Sequence, residues 1–218
     1  MLLAIAGMVG TGKSTLTDAL AARFGLQRAF ESADDDNPWL EPYYGEPDGM
    51  RRYALALQLH FLATRFAALR RMRARGGGWV LDRTWYEDAE VFARGLFERG
   101  QLTVAEFDLY QRLYAELLHS RAARPPAVLV YLHGPLSEIL ARIERRGRPK
   151  ERDTPPEYWA ELHARYERWI DGFRRCPVLP IDIRGYDIVE SPESLDTVTR
   201  LVRDAVAPRL PQHELWDA

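Results

Sequence analysis

The sequence predicts an α/β protein with a doubly wound parallel sheet of about five strands and helices on both faces. Short apolar runs alternate with longer segments whose apolar residues recur at helical spacing, which is typical of a parallel sheet. A glycine-rich turn follows the first apolar run. With 218 residues, 46% of them hydrophobic and 28% charged, we expect one globular domain spanning residues 1–218.

The glycine-rich turn reads Gly-Met-Val-Gly-Thr-Gly-Lys-Ser-Thr and matches the phosphate-binding loop of P-loop proteins. Its glycines would let backbone N–H groups turn toward bound phosphates. Lys13 would place its charge on the β- and γ-phosphates, and Ser14 would offer its hydroxyl to Mg²⁺. A tight strand–helix turn that binds nothing is the alternative. The predicted nucleotide-binding residues are Gly7, Met8, Val9, Gly10, Thr11, Gly12, Lys13, Ser14 and Thr15.

The first half of the chain begins with an apolar run at residues 2–6, which predicts a buried strand. A helical pattern follows and ends at Gly25, and residues 28–30 could form a second strand that delivers Glu31 at its end. Residues 37–49 contain three prolines and two glycines and predict a loop. Helical spacing then predicts one helix over residues 50–75, before three consecutive glycines.

The second half predicts three further strands, at residues 79–81, 127–132 and 178–183. Helices are expected over 87–98, 104–120, 155–173 and 195–205, and one more from residue 136 into an arginine-rich stretch at 145–148. In such sheets the site lies outside the carboxyl ends of the strands. Glu31, Asp82 and the phosphate loop all fall at these ends.

Charge and cysteine content limit the partners. The formal net charge of −2 gives no electrostatic footprint for nucleic acid or an anionic membrane, so neither partner is expected. No apolar run is long enough to span a bilayer, and the N-terminus reads as a strand rather than a signal peptide. The single cysteine, Cys176, allows no internal disulfide and suits a reducing cytoplasm.

Acidic residues follow two of the predicted strands. Glu31 could take a proton from an attacking hydroxyl, or it could be a solvated strand-end carboxylate. Asp82 could hold Mg²⁺ directly or through water, while Arg83 could hold Glu31 and orient the acceptor. The residues after Arg83 also fit a helix N-cap, with Thr84 as the cap and two acids, Glu87 and Asp88, in the first turn.

Polar residues interrupt the apolar stripe of the long predicted helix. Gln58 and Arg65 are seven residues apart and therefore share one face. A glutamine can read a nucleobase edge with one donor and one acceptor. The alternative is an exposed polar pair.

A cluster of arginines follows the helix that begins at residue 136. Arginine suits the charge of a phosphoryl group during transfer, and Arg142, Arg146 and Arg148 fall together here with Glu151. Gly147, Pro149 and the charged run after them predict a short arginine-rich lid over about residues 146–155. A solvated basic helix end is the alternative.

Taken together, these residues resemble the deoxyribonucleoside kinase family, especially the bacterial deoxyadenosine/deoxyguanosine kinases. The phosphate loop is shared by many families, but the other motifs are more specific. The resemblance extends over nearly the whole chain. It rests on Glu31 with Asn37-Pro38-Trp39-Leu40-Glu41 and Tyr43-Tyr44, Gln58 with Phe61-Leu62 and Arg65, the run from Asp82 to Asp88, Arg142-Ile143, Arg146-Gly147-Arg148 and Glu151, and the run from Tyr186 to Glu190.

The resemblance implies a role for each matching position. Glu31 would be the base that deprotonates the nucleoside 5′-hydroxyl, and Arg83 would position both. Tyr44 and Glu151 would bind the sugar 3′-hydroxyl. The remaining roles are base reading by Gln58, Arg65 and Asp88, phosphoryl stabilisation by Arg142, Arg146 and Arg148, and ATP binding by Arg146, Tyr186 and Asp187. Family members are commonly homodimers, packed through helices.

The sequence departs from the family pattern beside the residues that are expected to bind the sugar. The segment between Pro47 and Gln58 is a few residues longer than the family's, and Tyr53 stands where a tryptophan is usual. Tyr44 rather than Tyr43 is assigned to the sugar because Tyr44-Gly45-Glu46-Pro47 matches the family's Tyr-x-x-Pro.

The motifs and the family resemblance together predict a kinase that uses ATP and Mg²⁺ to phosphorylate a purine deoxyribonucleoside at the 5′-hydroxyl. Deoxyadenosine or deoxyguanosine would be the substrate, with deoxycytidine as a secondary one. A thymidylate-type nucleoside monophosphate kinase is an alternative, against which Glu31 argues as a base beside the acceptor. A nucleotide-binding regulatory protein without catalysis is the other, and it would not need Glu31, Gln58 and Arg65.

Overall fold

The computed structural model describes residues 1–29, 37–121, 123–148, 151 and 154–207. Within these residues one parallel five-stranded sheet is formed, in the order β2-β3-β1-β4-β5. This confirms the predicted doubly wound α/β sheet, with helices packed around it. The strands are β1 (Leu2–Gly7), β2 (Gln27–Ala29), β3 (Trp79–Asp82), β4 (Val128–His133) and β5 (Val178–Asp182).

The central strand β1 carries the phosphate loop at its carboxyl end. It pairs with β3 on one side and β4 on the other, with Ile5 opposite Asp82 and Gly7 opposite Leu132. Almost every side chain of β1, β3 and β4 is buried. A strand covered on both faces reads as a continuous apolar run, which is why these three could be located from sequence.

Helices connect the strands. They are α1 (Lys13–Phe24), α2 (Leu40–Gly45), α3 (Gly49–Arg52), α4 (Ala54–Arg75), α5 (Trp85–Glu87), α6 (Arg94–Glu98), α7 (Val104–His119), α8 (Leu136–Arg146), α9 (Pro156–Gly172) and α10 (Pro192–Val206). A π-helical turn, Asp88–Ala93, lies between α5 and α6. No helix in the described ranges is long and apolar enough to cross a membrane.

The contacts divide the chain into two compact units. Unit 1 comprises the described parts of Met1–Phe30, Gly78–Arg83 and Pro125–Ala218, and it contains the sheet with α1, α8, α9 and α10. Unit 2 comprises the described parts of Glu31–Gly77 and Thr84–Arg124, and it contains the other helices. The assignment of residues 1–218 to a single domain stays a prediction.

Unit 2 has a hydrophobic core of its own. Tyr43 of α2 and Leu57 of α4 pack there with Leu96 and Leu102. Partly buried aromatic side chains surround this core, among them Phe97 and Phe107, whose rings stack with centroids 4.5 Å apart. Aromatic and leucine side chains therefore hold its helices together.

The predicted loop at residues 37–49 is wrong, because α2 and the start of α3 lie within it. Pro42 is the third residue of α2, where the backbone N–H has no partner within the helix and proline is tolerated. A Cβ on Gly49 would lie 2.2 Å from the carbonyl oxygen of Pro42, so glycine allows the two helices to pack. The predicted helix over 50–75 is likewise interrupted at Tyr53, which separates α3 from α4.

Candidate active site

In unit 1 the phosphate loop takes a conformation that depends on glycine. Gly7 has φ 143° and Gly12 has φ 94°, in the positive range that other residues rarely adopt. A Cβ on Gly7 would lie 2.4 Å from the carbonyl oxygen of Leu132 on the neighbouring strand. The loop therefore has the backbone geometry that its sequence motif predicts.

The loop leads directly into α1. Gly12 is the N-cap of this helix, it makes no side-chain capping bond, and the first turn contains no acid. An N-terminus of this kind directs backbone N–H groups and a partial positive charge toward an anion. Within the loop, the Lys13 Nζ donates to the carbonyl oxygen of Met8 at 3.0 Å, and the Thr11 hydroxyl donates to the same oxygen at 2.8 Å.

Two oxygen groups meet beside the loop. The Ser14 hydroxyl donates to Oδ2 of Asp82 at 2.6 Å, and Asp82 is the buried last residue of β3. A hydroxyl and a carboxylate are oxygen donors, the type that Mg²⁺ prefers. The described residues contain no cluster of three histidine, cysteine or acidic side chains able to hold a metal. A metal here would therefore depend on phosphate and water oxygens for its other ligands.

Arg83 follows β3 in a strained conformation. Its φ of 70° is unusual for a residue other than glycine, and its backbone N–H donates to the carbonyl oxygen of Ile5 at 3.0 Å. Strain of this kind costs energy and tends to occur at functional sites. The predicted contact of Arg83 with Glu31 stays a prediction, because Glu31 lies outside the described residues.

The three arginines predicted to act on the phosphoryl group have different partners. Arg142 donates through Nε to Glu138 at 3.0 Å and through a terminal nitrogen to the carbonyl oxygen of Ile183 at 2.9 Å. It therefore ties α8 to the residue after β5. Arg146 contacts Oε1 of Glu151 at 2.5 Å and Arg148 contacts it at 3.9 Å.

Glu151 is the carboxylate on which two of the predicted catalytic arginines converge. Its second oxygen, Oε2, is buried and has no hydrogen-bond partner in the described part of the chain. Helix α8 ends just before this group because Gly147 adopts φ 68° as its C-cap. The alternative of a solvated helix end does not fit Arg142, whose side chain is largely buried, whereas Arg146 is exposed and its catalytic role stays a prediction.

The turn after β5 lies against the phosphate loop. Asp187 shapes this turn by accepting from the backbone N–H of Val189 at 3.2 Å and of Glu190 at 3.1 Å. Ile188 is buried, and its Cδ1 lies 2.9 Å from the position that a Cβ on Gly12 would take. Tyr186 and Asp187, predicted to bind ATP, are thus part of a turn beside the loop. Ile188 was not predicted as a contact, although an apolar residue in a polar turn is a signal for one.

An ion pair fixes the start of this turn. The Arg184 guanidinium donates to both carboxylate oxygens of Asp182, with the closest approach at 2.6 Å. This hydrogen bonding lowers the pKa of Asp182 to about 2. The carboxylate therefore stays charged throughout the neutral range.

In unit 2 a buried capping box starts α5. The Thr84 backbone N–H donates to Oε2 of Glu87 at 2.8 Å, and the Glu87 N–H donates to the Thr84 hydroxyl at 3.3 Å. This confirms the N-cap expected from the sequence, and it places the helix start two residues before the predicted one. Asp88 then begins the π-helical turn, a local geometry often found at functional sites.

Arg65 and Asp88 form a buried ion pair within unit 2. Arg65 Nε contacts Asp88 Oδ2 at 2.9 Å and its terminal nitrogen contacts Oδ1 at 3.2 Å, with 8% and 4% of the two residues exposed. The fold thus brings together two of the three residues predicted to read the base. Gln58 is also buried, at 5% exposure, so the alternative of an exposed polar pair is wrong. Its carbonyl oxygen has no hydrogen-bond partner among the described residues.

The two neighbouring tyrosines of α2 differ in environment. The Tyr43 hydroxyl donates to Oε1 of Gln101 at 3.1 Å, and this side chain is buried in the core of unit 2. Tyr44 is 67% exposed. The assignment of Tyr44 to the sugar stays a prediction, whereas Tyr43 packs in the core of unit 2. Tyr53 donates to Glu46 at 2.6 Å, which holds the segment that departs from the family pattern.

Sequence reasoning missed Tyr110 of α7. It is fully buried, and its hydroxyl has no hydrogen-bond partner within the residues described. Burial raises the pKa of this phenol, and the charges of Asp88 and Glu90 raise it further. A tyrosine on the buried face of a helix looks like ordinary core, so the sequence alone gives no signal for it.

Known proteins are similar to nearly the whole chain. The family model for deoxynucleoside kinases matches residues 3–207. A deoxyadenosine/deoxycytidine kinase of Bacillus subtilis is 38% identical over 205 residues, covering 94% of this chain and 93% of the relative. A deoxyguanosine kinase of Lactobacillus acidophilus is 31% identical over 224 residues, covering 99% and 95%.

A solved structure agrees in fold. The deoxyadenosine kinase from M. mycoides with bound dCTP superposes with a TM-score of 0.75 and 22% identity, covering 94% of this chain and all of that one. This likeness shows the fold alone, and the family is shown by the sequence matches. The chain therefore belongs to the deoxynucleoside kinase family of ATP-dependent phosphotransferases.

Proposed function

We propose that the chain transfers the γ-phosphoryl group of ATP to the 5′-hydroxyl of a purine deoxyribonucleoside, deoxyadenosine or deoxyguanosine, with deoxycytidine as a secondary substrate. The observation that carries this proposal is the buried Arg65–Asp88 pair together with Gln58, two turns before Arg65 on the same helix, whose buried carbonyl oxygen has no hydrogen-bond partner among the described residues. A buried acceptor without a partner is costly, so a ligand that donates to it is favoured.

Hydrogen-bond chemistry supports a purine. Gln58 can serve adenine by accepting from the N6 amino group and donating to N1, and it can serve guanine with the amide turned over. Arg65 offers only donors, which suit guanine O6, while Asp88 offers only acceptors, which suit adenine N6. The same charged pair would leave the thymine 5-methyl group in a polar setting, so thymidine would be disfavoured. The names of the two relatives, which cover adenine, guanine and cytosine substrates, support this choice.

Unit 1 would hold ATP. The phosphate loop and the N-terminus of α1 would bind the phosphates, with the turn at Tyr186 and Asp187 near the adenine. Ser14 and Asp82 would hold Mg²⁺, whose role is to neutralise charge on the β- and γ-phosphates. Removal of Mg²⁺ with EDTA is expected to stop phosphoryl transfer.

The remaining roles follow from the chemistry of each side chain. Glu31 would take the proton of the 5′-hydroxyl, and Arg83 would orient that hydroxyl. Arg146 and Arg148 would stabilise the phosphoryl group in transfer, while Tyr44 and Glu151 would bind the sugar 3′-hydroxyl. Arg142 would act at the same charge, although its contacts to Glu138 and Ile183 also support a role in holding the site together.

We also propose a homodimer. An open groove of about 940 Å³ runs along α4 and α7 in unit 2, and leucine, alanine and phenylalanine side chains line most of it. Its rim carries both signs of charge, with Glu116 as well as Arg70, Arg73 and Arg121. In a two-fold interface Glu116 of each copy can meet one of these arginines on the other copy. A cytoplasmic location stays a prediction that rests on the single cysteine.

The deciding experiment is a panel of acceptors with ATP and Mg²⁺, followed by ADP release. The panel contains the four deoxyribonucleosides, adenosine, guanosine and dAMP. We expect deoxyadenosine or deoxyguanosine to give the highest kcat/KM. Transfer to dAMP alone would contradict the proposal in favour of a monophosphate kinase, and ADP release independent of any acceptor would contradict nucleoside phosphorylation altogether.

A further inference from the structure

The polar groups of unit 2 include one that has no task in the proposed mechanism. Tyr110 of α7 is completely buried, and in the described part of the chain its hydroxyl finds no hydrogen-bond partner. Buried hydroxyls are nearly always bonded, because they give up water on burial. A fully buried hydroxyl without a partner therefore indicates a ligand or a water that completes it.

The elements around Tyr110 are those that carry the predicted base-reading residues. Helix α7 packs against α4, which carries Gln58 and Arg65, and against the π-helical turn, which begins with Asp88. The charges of Asp88, Glu90 and Arg65 all act on the phenol. With burial, the two acids raise its pKa and keep it protonated, so it remains a neutral hydroxyl that can both donate and accept.

The polar groups on the elements around Tyr110 differ in their remaining capacity for hydrogen bonds. Arg65 and Asp88 bond each other through two contacts, at 2.9 Å and 3.2 Å. Gln58 retains an acceptor without a partner in the described residues, and Tyr110 retains a hydroxyl. One acceptor and one hydroxyl, on two helices that pack against each other, suit a nucleobase edge, which alternates donors and acceptors.

We propose that Tyr110 is a specificity-determining residue of the base site, whose hydroxyl bonds the nucleobase directly or through one water. The inference rests on the proposed nucleoside kinase function and adds a residue to it. Because the base does not react, a bond to it contributes equally in the ground state and the transition state. Its loss therefore raises KM and leaves kcat nearly unchanged.

The test is Tyr110→Phe, which removes one oxygen atom. We expect KM for the preferred deoxyribonucleoside to rise about 3- to 10-fold, the range for one hydrogen bond, with kcat and KM for ATP within about 2-fold of wild type. The ratio of kcat/KM between the two best nucleosides should change by at least about 3-fold, since they present different edges. Tyr114→Phe is the matched control, one turn further along α7 and also buried, and should leave these constants unchanged.

Thermal unfolding separates this role from a structural one. A structural hydroxyl would lower the melting temperature when removed. Because the Tyr110 hydroxyl has no partner among the described residues, we expect Tyr110→Phe to keep the melting temperature of the ligand-free protein or to raise it by up to about 2–4 °C. The stabilisation given by saturating nucleoside should become smaller than in wild type.

The outcomes are distinguishable. Wild-type turnover combined with unchanged nucleoside constants in Tyr110→Phe would overturn this inference and leave the proposed function intact. A lowered melting temperature with unchanged KM would assign the hydroxyl a structural role and would also overturn it. Absence of nucleoside-dependent turnover in the wild-type enzyme would contradict the proposed function, and this inference with it.

Discussion

At the scale of single residues, burial of the Arg65–Asp88 pair costs desolvation free energy. Both side chains lose their water on burial, and a well-packed apolar pair of similar volume is often as stable or more stable. Stability alone therefore gives little reason for charges here. Base recognition gives one, because fixed donors and acceptors discriminate between nucleobases far better than apolar contacts do.

Replacing both members of the pair should relax the selection against thymidine. In Arg65→Leu/Asp88→Asn neither charge is left buried without its partner, so we expect the protein to fold. The ratio of kcat/KM for thymidine to that for deoxyadenosine should rise at least about 10-fold, because the methyl group would meet an apolar side chain. Steady-state kinetics with both nucleosides measures this. An unchanged ratio would mean that the pair has no part in base selection.

A single substitution in the pair should behave differently. Asp88→Ala leaves the Arg65 charge buried and unpaired, which typically costs about 3–5 kcal/mol. We expect a loss of that order in the free energy of unfolding, measured by urea denaturation, whereas the double variant should lose less. Equal losses in both variants would show that the two charges do not depend on each other.

Lys13 should be essential for catalysis. Lys13 is the only lysine in the sequence of the phosphate loop, so Lys13→Ala removes the lysine charge of that loop. We expect kcat/KM to fall by at least about 10³-fold, because phosphoryl transfer depends mainly on charge stabilisation. Arg23→Ala is the control on the same helix, since Arg23 contacts Asp196 and Thr199 of α10 instead. Turnover near the wild-type rate in Lys13→Ala would refute the assignment of the phosphate loop.

Residue spacing predicted part of this arrangement. Gln58 and Arg65 could be assigned to one helix face because a seven-residue interval returns to the same side. The contact of Arg142 with the backbone carbonyl of Ile183, 41 residues away, could not be predicted in this way, because a backbone group carries no sequence signature. Tyr110 could not be found either, because the absence of a hydrogen-bond partner is a property of the folded structure.

At the scale of elements, the sequence predicted the strands more accurately than the helices that carry the proposed substrate-binding residues. A buried strand has a composition that identifies it, whereas α2 begins next to prolines that also favour loops. The π-helical turn Asp88–Ala93 was not predicted, since it has the same apolar pattern as an α-helix and differs only in its hydrogen bonds.

The capping box at Thr84 should stabilise the segment that carries Asp88. Thr84→Ala removes the hydroxyl that accepts from the Glu87 N–H, and we expect a loss of about 1–2 kcal/mol in the free energy of unfolding. The KM for the nucleoside should rise as well, because Asp88, one of the proposed base-reading residues, directly follows α5. Thr103→Ala removes the corresponding hydroxyl from an exposed box at the start of α7 and should cost less. Urea denaturation of both variants decides, and equal costs would count against a special role for burial at Thr84.

At the scale of the whole molecule, alternation of strands and helices predicted the sheet, but the strand order had to come from the structure. Chain order does not determine which strands become neighbours, and here β1 lies in the centre between β3 and β4. The separation of the contacts into two units was also not predicted. Each unit recruits segments from distant parts of the chain, so the division does not follow chain order.

Assembly is the remaining prediction at this scale. Apolar side chains line most of the groove along α4 and α7, and we expect a second copy of the chain to occupy it. We expect light scattering at micromolar concentration to give twice the mass of the chain. Leu113→Glu places a charge in the groove and should produce the monomer, whereas Val104→Glu, on the same helix but not among the groove-lining residues, should remain dimeric. A wild-type monomer would refute the dimer, and a dimeric Leu113→Glu would mean that the copies meet through another surface.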